Sequence, residues 1–333
     1  MQPRGRDVVA QRLQRHAAIA RGEGDLFERV AADDRRAARG AGHSGLPAAD
    51  SIMPAMPPMA TKTWLEVAVN GPWGRGRQPG IPVRIADIVE QGVACAREGA
   101  AIVHVHAYDE ASGRQRDDAD LYARIIEGIR AKVDCIVYPT IPFGGEHTAQ
   151  TRFAAIEALA RRGLLEWAVV DPGSVNIEEF VYANPYDHIQ HGLALAARHR
   201  FHPGYAIYEP GFMRMGAQLA RAAGVPQPIY RFMFSQGFAF GFPPEEYALD
   251  AYRRLLADEA PAAPWMVAGL AVDILPLAGV AAAHGGHVRV GLEDAPLGST
   301  RTNLEWVREA RRAIEGAGRK LASADEVRRA LDG

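Results

Sequence analysis

Cysteine is scarce: Cys95 and Cys135 are the only two in 333 residues. That excludes a disulfide framework and a thiolate metal cage, and it points to a reducing cytoplasm. Long apolar runs are missing too. None reaches the ~18 residues of a membrane-crossing helix, so no membrane partner is expected. Neither sign of charge is in excess, because 38 Lys and Arg face 40 Asp and Glu for a net of −2. Such a balance offers nucleic acid no long-range attraction, although a local basic patch for a phosphorylated ligand stays compatible with it. No GxGxxG turn follows the first β-rich run; "NGPWGRG" (70–76) has the wrong spacing, which argues against an open dinucleotide-binding sheet.

Lysine is absent before Lys62, and residues 1–60 are rich in Arg and Ala with a Pro/Met-rich end. This segment lacks an apolar signal core and mixes acids among its arginines, unlike a transit peptide. It is expected to be a loose extension, or to precede the true start at Met53, Met56 or Met59, with the folded domain over 61–333.

What is present is a repeat of two periodicities. Short β-rich runs occur at 64–70, 101–107, 135–140, 166–171, 205–209, 229–234, 265–270 and 287–292. Between them lie stretches whose apolar residues recur at three and four, several ending in Gly. Parallel strands need crossover helices, and eight such units over about 270 residues predict an α/β fold, the (β/α)8 TIM barrel. Chemistry in that fold gathers at the carboxyl ends of the strands.

Strand alternation turns His104 and His106 of "AIVHVHA" inward at such an end, and Arg289 and Glu293 of "HVRVGLED" share the inward face of the last run. Asp294 falls just past it. Two imidazoles and a carboxylate with open positions form the pattern of a catalytic divalent-metal site, and geometry alone accepts Zn, Mn or Co. An H-x-H pair by itself also serves packing. Arg289 has two readings, an interior ion pair that positions Glu293 or Asp294 and a substrate contact. His284 and His287 are expected at a helix end and a strand start on the opposite, stabilising face.

Other polar residues ring the same mouth: Asn70, Thr140, Ser174, Asn176 and Glu209. Arg301 lies in "LGSTRTN" (297–303), which suits either a phosphate at a helix N-terminus or a plain cap by Thr302 or Ser299. The loop "MFSQGFAFGFPP" (233–244) suits an acyl channel or packing between helices.

These blocks, above all "IVHVHA" and "GGHVRVGLEDAPLGSTRTN", resemble the beta-keto acid cleavage enzyme family over roughly Lys62 to Leu331. The resemblance implies a zinc-dependent barrel that converts a beta-keto acid and acetyl-CoA to acetoacetate and a new CoA ester, in a cytoplasmic homo-oligomer, commonly a tetramer. It assigns the metal to His104, His106 and Glu293, and proton removal to Asp294 oriented by Arg289. Thr140 matches a Ser or Thr of an "STGG"-like turn, although "YPTIPFGG" departs from it; Asn70 replaces the commoner Thr of a "TG" turn. Ser174 matches a G-[ST]-x-N hydroxyl, and Glu209 the acid that faces a substrate amino group in the family's aminohexanoate-cleaving member.

Two enzyme classes and one binding class compete. Amidohydrolases carry H-x-H on their first strand, whereas this pair sits on the second. Metal-dependent acyl-CoA lyases use H-x-H barrels with an Asp-Arg-Glu run that is absent from the first strand here. A non-catalytic barrel sensing an acyl-CoA or organic acid would share the pocket without turnover.

Overall fold

All eight β-rich runs form strands of one parallel sheet in the computed structural model, which describes residues 62–143 and 146–332. They are β1 (Leu65–Ala68), β2 (Ile102–Val105), β3 (Ile136–Pro139), β4 (Trp167–Val169), β5 (His202–Ile207), β6 (Ile229–Phe234), β7 (Trp265–Gly269) and β8 (His287–Val290). The order around the sheet is β3-β2-β1-β8-β7-β6-β5-β4. β3 and β4 touch across the remaining seam, so the cylinder is nearly closed. The expected extension at 1–60 lies outside the described residues.

Helices α1 (Ile85–Arg97), α2 (Ala119–Arg130), α3 (Ala154–Arg161), α4 (Tyr186–His199), α5 (Pro210–Ala223), α6 (Glu246–Glu259), α7 (Leu275–Ala283) and α8 (Asn303–Gly316) follow the strands in turn. Each lays an apolar stripe on the sheet, as Ile88, Val89 and Val93 of α1 do. Asp118 caps α2 by accepting from the amides of Asp120 and Leu121, and Thr302 caps α8 in a reciprocal box with Glu305. The cap reading of "LGSTRTN" is therefore the one the fold uses. No helix among the described residues is long and apolar enough to cross a membrane.

β5 begins three residues before the run read from sequence, at His202, and includes Pro203 and Gly204. Those two residues signal a turn locally. Inside the barrel Gly204 instead leaves room for a side chain from the next strand, since a Cβ there would lie 2.6 Å from Arg231 Nη2. β8 ends two residues early, because Gly291 turns the chain at φ +135, where a Cβ would lie 2.2 Å from the Ala68 carbonyl oxygen.

The barrel's midsection is polar. Glu66 is completely buried and accepts from the Tyr138 hydroxyl, from Arg289 Nη1 at 3.3 Å and from Arg231 Nε at 3.4 Å. A carboxylate between two guanidiniums is tolerable in a dry interior only because each charge finds an opposite one. This layer forms the floor beneath the mouth.

Candidate active site

His104 and His106 leave β2 on its inward face, 2% and 3% exposed, with their rings edge to face at 5.1 Å between centroids. Glu293 reaches them by a route that strand alternation does not describe. After Gly291 the chain makes a tight turn, in which the amides of Asp294 and Ala295 donate to the Gly291 carbonyl, and that turn swings Glu293 over the mouth. Its amide donates to the Ala68 carbonyl, and its own carbonyl accepts from Trp73 Nε1 at 2.7 Å. Glu293 Oε2 then lies 3.4 Å from Nε2 of each histidine, while Oε1 lies 3.0 Å from Arg289 Nη2.

Ligand atoms of the three residues all fall within 4.8 Å of one another. Among the described residues, His106 Nε2 and Glu293 Oε2 are buried without a hydrogen-bond partner. Buried polar atoms left unpaired are costly, and a divalent cation between them would satisfy both. The residues therefore fit a metal. Burial holds the His104 ring well below the usual histidine range and so neutral, as a ligand must be. Burial acts the same way on His106, but the adjacent Glu293 carboxylate outweighs it and raises that ring; here is a site that attracts positive charge.

An outer chain orients His106. Its Nδ1 lies 2.8 Å from Gln115 Oε1, and Gln115 Nε2 donates to both oxygens of Asp117 at 3.0 Å, which fixes the amide's direction. The proton then sits on Nδ1 and the Nε2 lone pair faces the cluster. Asn70 braces the same residue from behind, accepting from the His106 amide at 2.9 Å and donating to its carbonyl at 2.8 Å. Being fully buried, it meets backbone and not the pocket.

Arg289 holds Asp294 with both arms of its fork, Nε to Oδ2 at 2.9 Å and Nη2 to Oδ1 at 2.8 Å. Both readings of this arginine are thus compatible: it forms the interior pair and also lines the pocket. Burial pushes the Asp294 carboxyl up to about 6 against the opposing pull of Arg289.

The pocket spans about 650 Å3, its solvent-open part included, and its polar wall includes His104, His106, Thr140, Asp171, Arg231, Arg289 and Glu293. Of the remaining sequence candidates, Ser174 lies outside it, exposed, with its hydroxyl accepting from the Asn184 amide. Asn176 is exposed on the strand of a small hairpin, Val175–Ile177 with Phe180–Tyr182. Glu209 accepts from the Gly241 amide at 3.1 Å. Arg301 pairs with Asp273 at 3.1 Å and lies over Trp306 at 4.7 Å, away from the pocket. Of the loop 233–244, Met233 reaches the pocket, while Phe238 and Phe240 pack on Trp73 and Tyr208. Sequence reading missed Glu66, Tyr138, Asp171, Arg231 and Gln115. Glu66 and Arg231 carried a signal, each being a charge in the middle of an apolar strand.

The model of one family, described as beta-keto acid cleavage enzyme, matches residues 62–332. The chain belongs to that family. It is accordingly an enzyme. A 3-oxoadipate:acetyl-CoA acetyltransferase of Cupriavidus necator is 26% identical over 80% of this chain and 93% of its own length. A 3-dehydrocarnitine:acetyl-CoA trimethylamine transferase of Rhizobium meliloti is 26% identical over 75% and 89%. Among solved structures, a binary complex of ObcA with oxaloacetate matches with a TM-score of 0.65 at 18% identity, over 76% of this chain and 67% of that one. That likeness supports the barrel fold of this family member.

Proposed function

We propose that the protein is a metal-dependent beta-keto acid cleavage enzyme that takes a 3-oxo acid and acetyl-CoA to acetoacetate and a new acyl-CoA. The observation that carries this reading is the cluster of His104, His106 and Glu293 in the mouth, two of whose facing atoms have no hydrogen-bond partner among the described residues. The names of its relatives support it: all specify a 3-oxo, 3-keto or 3-dehydro acid, three of them with acetyl-CoA, and they differ at the far end of the acid. A divalent metal, zinc by resemblance, supplies Lewis acidity toward the ketone and carboxylate oxygens when bound by those three residues.

The chain's own groups do the rest. Arg289 lines the pocket and draws the anionic acid toward the cluster. In the resting geometry it occupies both oxygens of Asp294. As the guanidinium turns to the substrate's charge, one Asp294 oxygen is released to accept the proton from C2, between the carboxylate and the ketone. The carbanion attacks the acetyl carbonyl and expels CoA thiolate. The thiolate adds to the original ketone carbon, and cleavage of the C2–C3 bond leaves acetoacetate, which regains the proton from Asp294. Thr140, with its hydroxyl at the pocket wall, is the candidate to hold a carboxylate or thioester oxygen. Asn70, Ser174, Asn176, Glu209 and Arg301 support the loops around this site. A cytoplasmic location and assembly as a homo-oligomer, a tetramer by resemblance, belong to the same proposal.

Asp294→Asn tests the reading. The variant should lose at least ~100-fold in acetoacetate formation, within the range for a general base, while keeping its metal by elemental analysis. Wild-type turnover in the variant would overturn the assignment.

A further inference from the structure

The pocket holds two guanidiniums with different company. Arg289 holds Asp294 with both arms of its fork and also meets Glu293. Arg231 does not have an equivalent. It is 1% exposed, lines the pocket, and among the described residues has a single ion pair, with Glu66 at 3.4 Å through Nε, a carboxylate also engaged by Tyr138 and Arg289. Among the described residues its Nη2 has no hydrogen-bond partner. Asp171 also lines the pocket, but its oxygens accept from the Ala206 amide at 2.6 Å and the Tyr182 hydroxyl at 2.8 Å, and it makes no ion pair with Arg231.

Arg152 shows what a structural arginine does in this fold. It too is buried and leaves Nη2 without a hydrogen-bond partner, but its Nε and Nη1 donate to the carbonyls of Pro142 and Ala183, and it does not line the pocket, so what sets Arg231 apart is its place in the pocket wall with no carbonyl acceptor. Arg231 is instead seated on Gly204, where any side chain would collide with its guanidinium. Its ring neighbour Tyr138, 5.0 Å away, separates it from His104. Apolar side chains, those of Val169, Met233 and Leu270 among them, line the same pocket.

We infer that Arg231 is a specificity-determining residue that receives a carboxylate at the far end of the substrate, so that the preferred acid is a 3-oxo dicarboxylate with a short methylene linker. The inference rests on the reading that the metal cluster and Arg289 engage the keto-acid head. A planar guanidinium binds a carboxylate through parallel N–H bonds, and a distal carboxylate completes Arg231 without displacing Glu66. A methyl-ended acid leaves a buried donor unpaired; an ammonium-ended one meets a like charge. Glu209, committed to the Gly241 amide and outside the pocket wall, offers no counterweight in favour of an amino-substituted acid.

The test compares 3-oxoadipate with 3-oxohexanoate, matched in length, on the metal-replete wild type, Arg231→Met and Arg231→Lys. With acetyl-CoA, wild-type kcat/KM should favour 3-oxoadipate by at least ~100-fold, as sites built to pair a polar group reject analogues lacking it. Arg231→Met should collapse that ratio toward unity, losing far more on 3-oxoadipate than on 3-oxohexanoate, and Arg231→Lys should retain part of the preference. A wild type that uses both acids equally, or a Met variant that loses both in parallel, overturns the inference. Calorimetric binding without acetyl-CoA gives a second readout. If neither acid yields acetoacetate, the assigned reaction fails, yet tighter binding of 3-oxoadipate by wild type and its loss in Arg231→Met still upholds the anion site; equal binding of both acids sinks it.

Discussion

The two ends of one barrel strand system carry histidines that are equally buried and opposite in use. At the carboxyl end, His104 and His106 face a carboxylate, and a ring nitrogen of His106 is left without a partner. At the amino end of β8, His287 stacks on Trp64 with centroids 3.9 Å apart and planes within 9°, and its Nδ1 accepts from the Trp64 amide at 3.1 Å. Burial keeps both His104 and His287 neutral. Protonation state therefore does not separate a ligand from a packing residue. The distinction lies in what each ring meets: one end leaves nitrogens aimed at an anion, and the other ties them into the core.

Breaking the mouth should cost function without costing the fold. His104→Ala is expected to abolish metal retention and acetoacetate formation while leaving the thermal midpoint of the apoprotein close to that of metal-stripped wild type; elemental analysis and a melting curve check both halves. Breaking the base should do the reverse. Burial, then Arg319, pushes His287 down to about 3 from 6.5, so the folded state refuses a proton that the unfolded chain accepts. Its contribution is fully present above pH 6.5 and is lost as pH falls toward 3, by about 4 kcal/mol over that window. Urea titrations from pH 7 to 4 should show the loss in wild type and a shallower slope in His287→Gln.

A smaller effect sharpens the contrast. Gln115 touches His106 and does not line the pocket, so under the proposed function Gln115→Ala should weaken metal affinity by ~10–100-fold without changing which acids are used. A competition titration with a chelator would measure it. An unchanged affinity would mean that His106 is oriented by Asn70 alone.

Much of this was legible along the chain. The eight strand runs were, because a parallel barrel strand is apolar on the helix-facing side and its helices repeat at a different period. His104 and His106 were legible from alternation. Glu293 was assigned inward by extending that alternation, and it does point inward, but through the turn at Gly291 and not through strand geometry. The loop candidates fared differently. Ser174, Asn176, Glu209 and Arg301 share the mouth's rim by chain position, but loop conformation sends their side chains to backbone amides, solvent or neighbouring charges. Gln115 was hidden for the converse reason: it belongs to a short hairpin, Tyr108–Asp109 with Arg114–Gln115, whose folding back under His106 leaves no periodic trace.

Local pattern alone determined the sequence of strands and helices, the direction of the sheet, and which residues of each strand face the interior, because all three follow from backbone periodicity and the aversion of apolar surface to water. Only the closing of the cylinder decided which of those interior residues meet. Glu66 on β1, Tyr138 on β3, Arg231 on β6 and Arg289 on β8 are distant in the chain, and their charges and hydroxyl become mutually necessary once the barrel excludes the water that would otherwise have solvated each one separately.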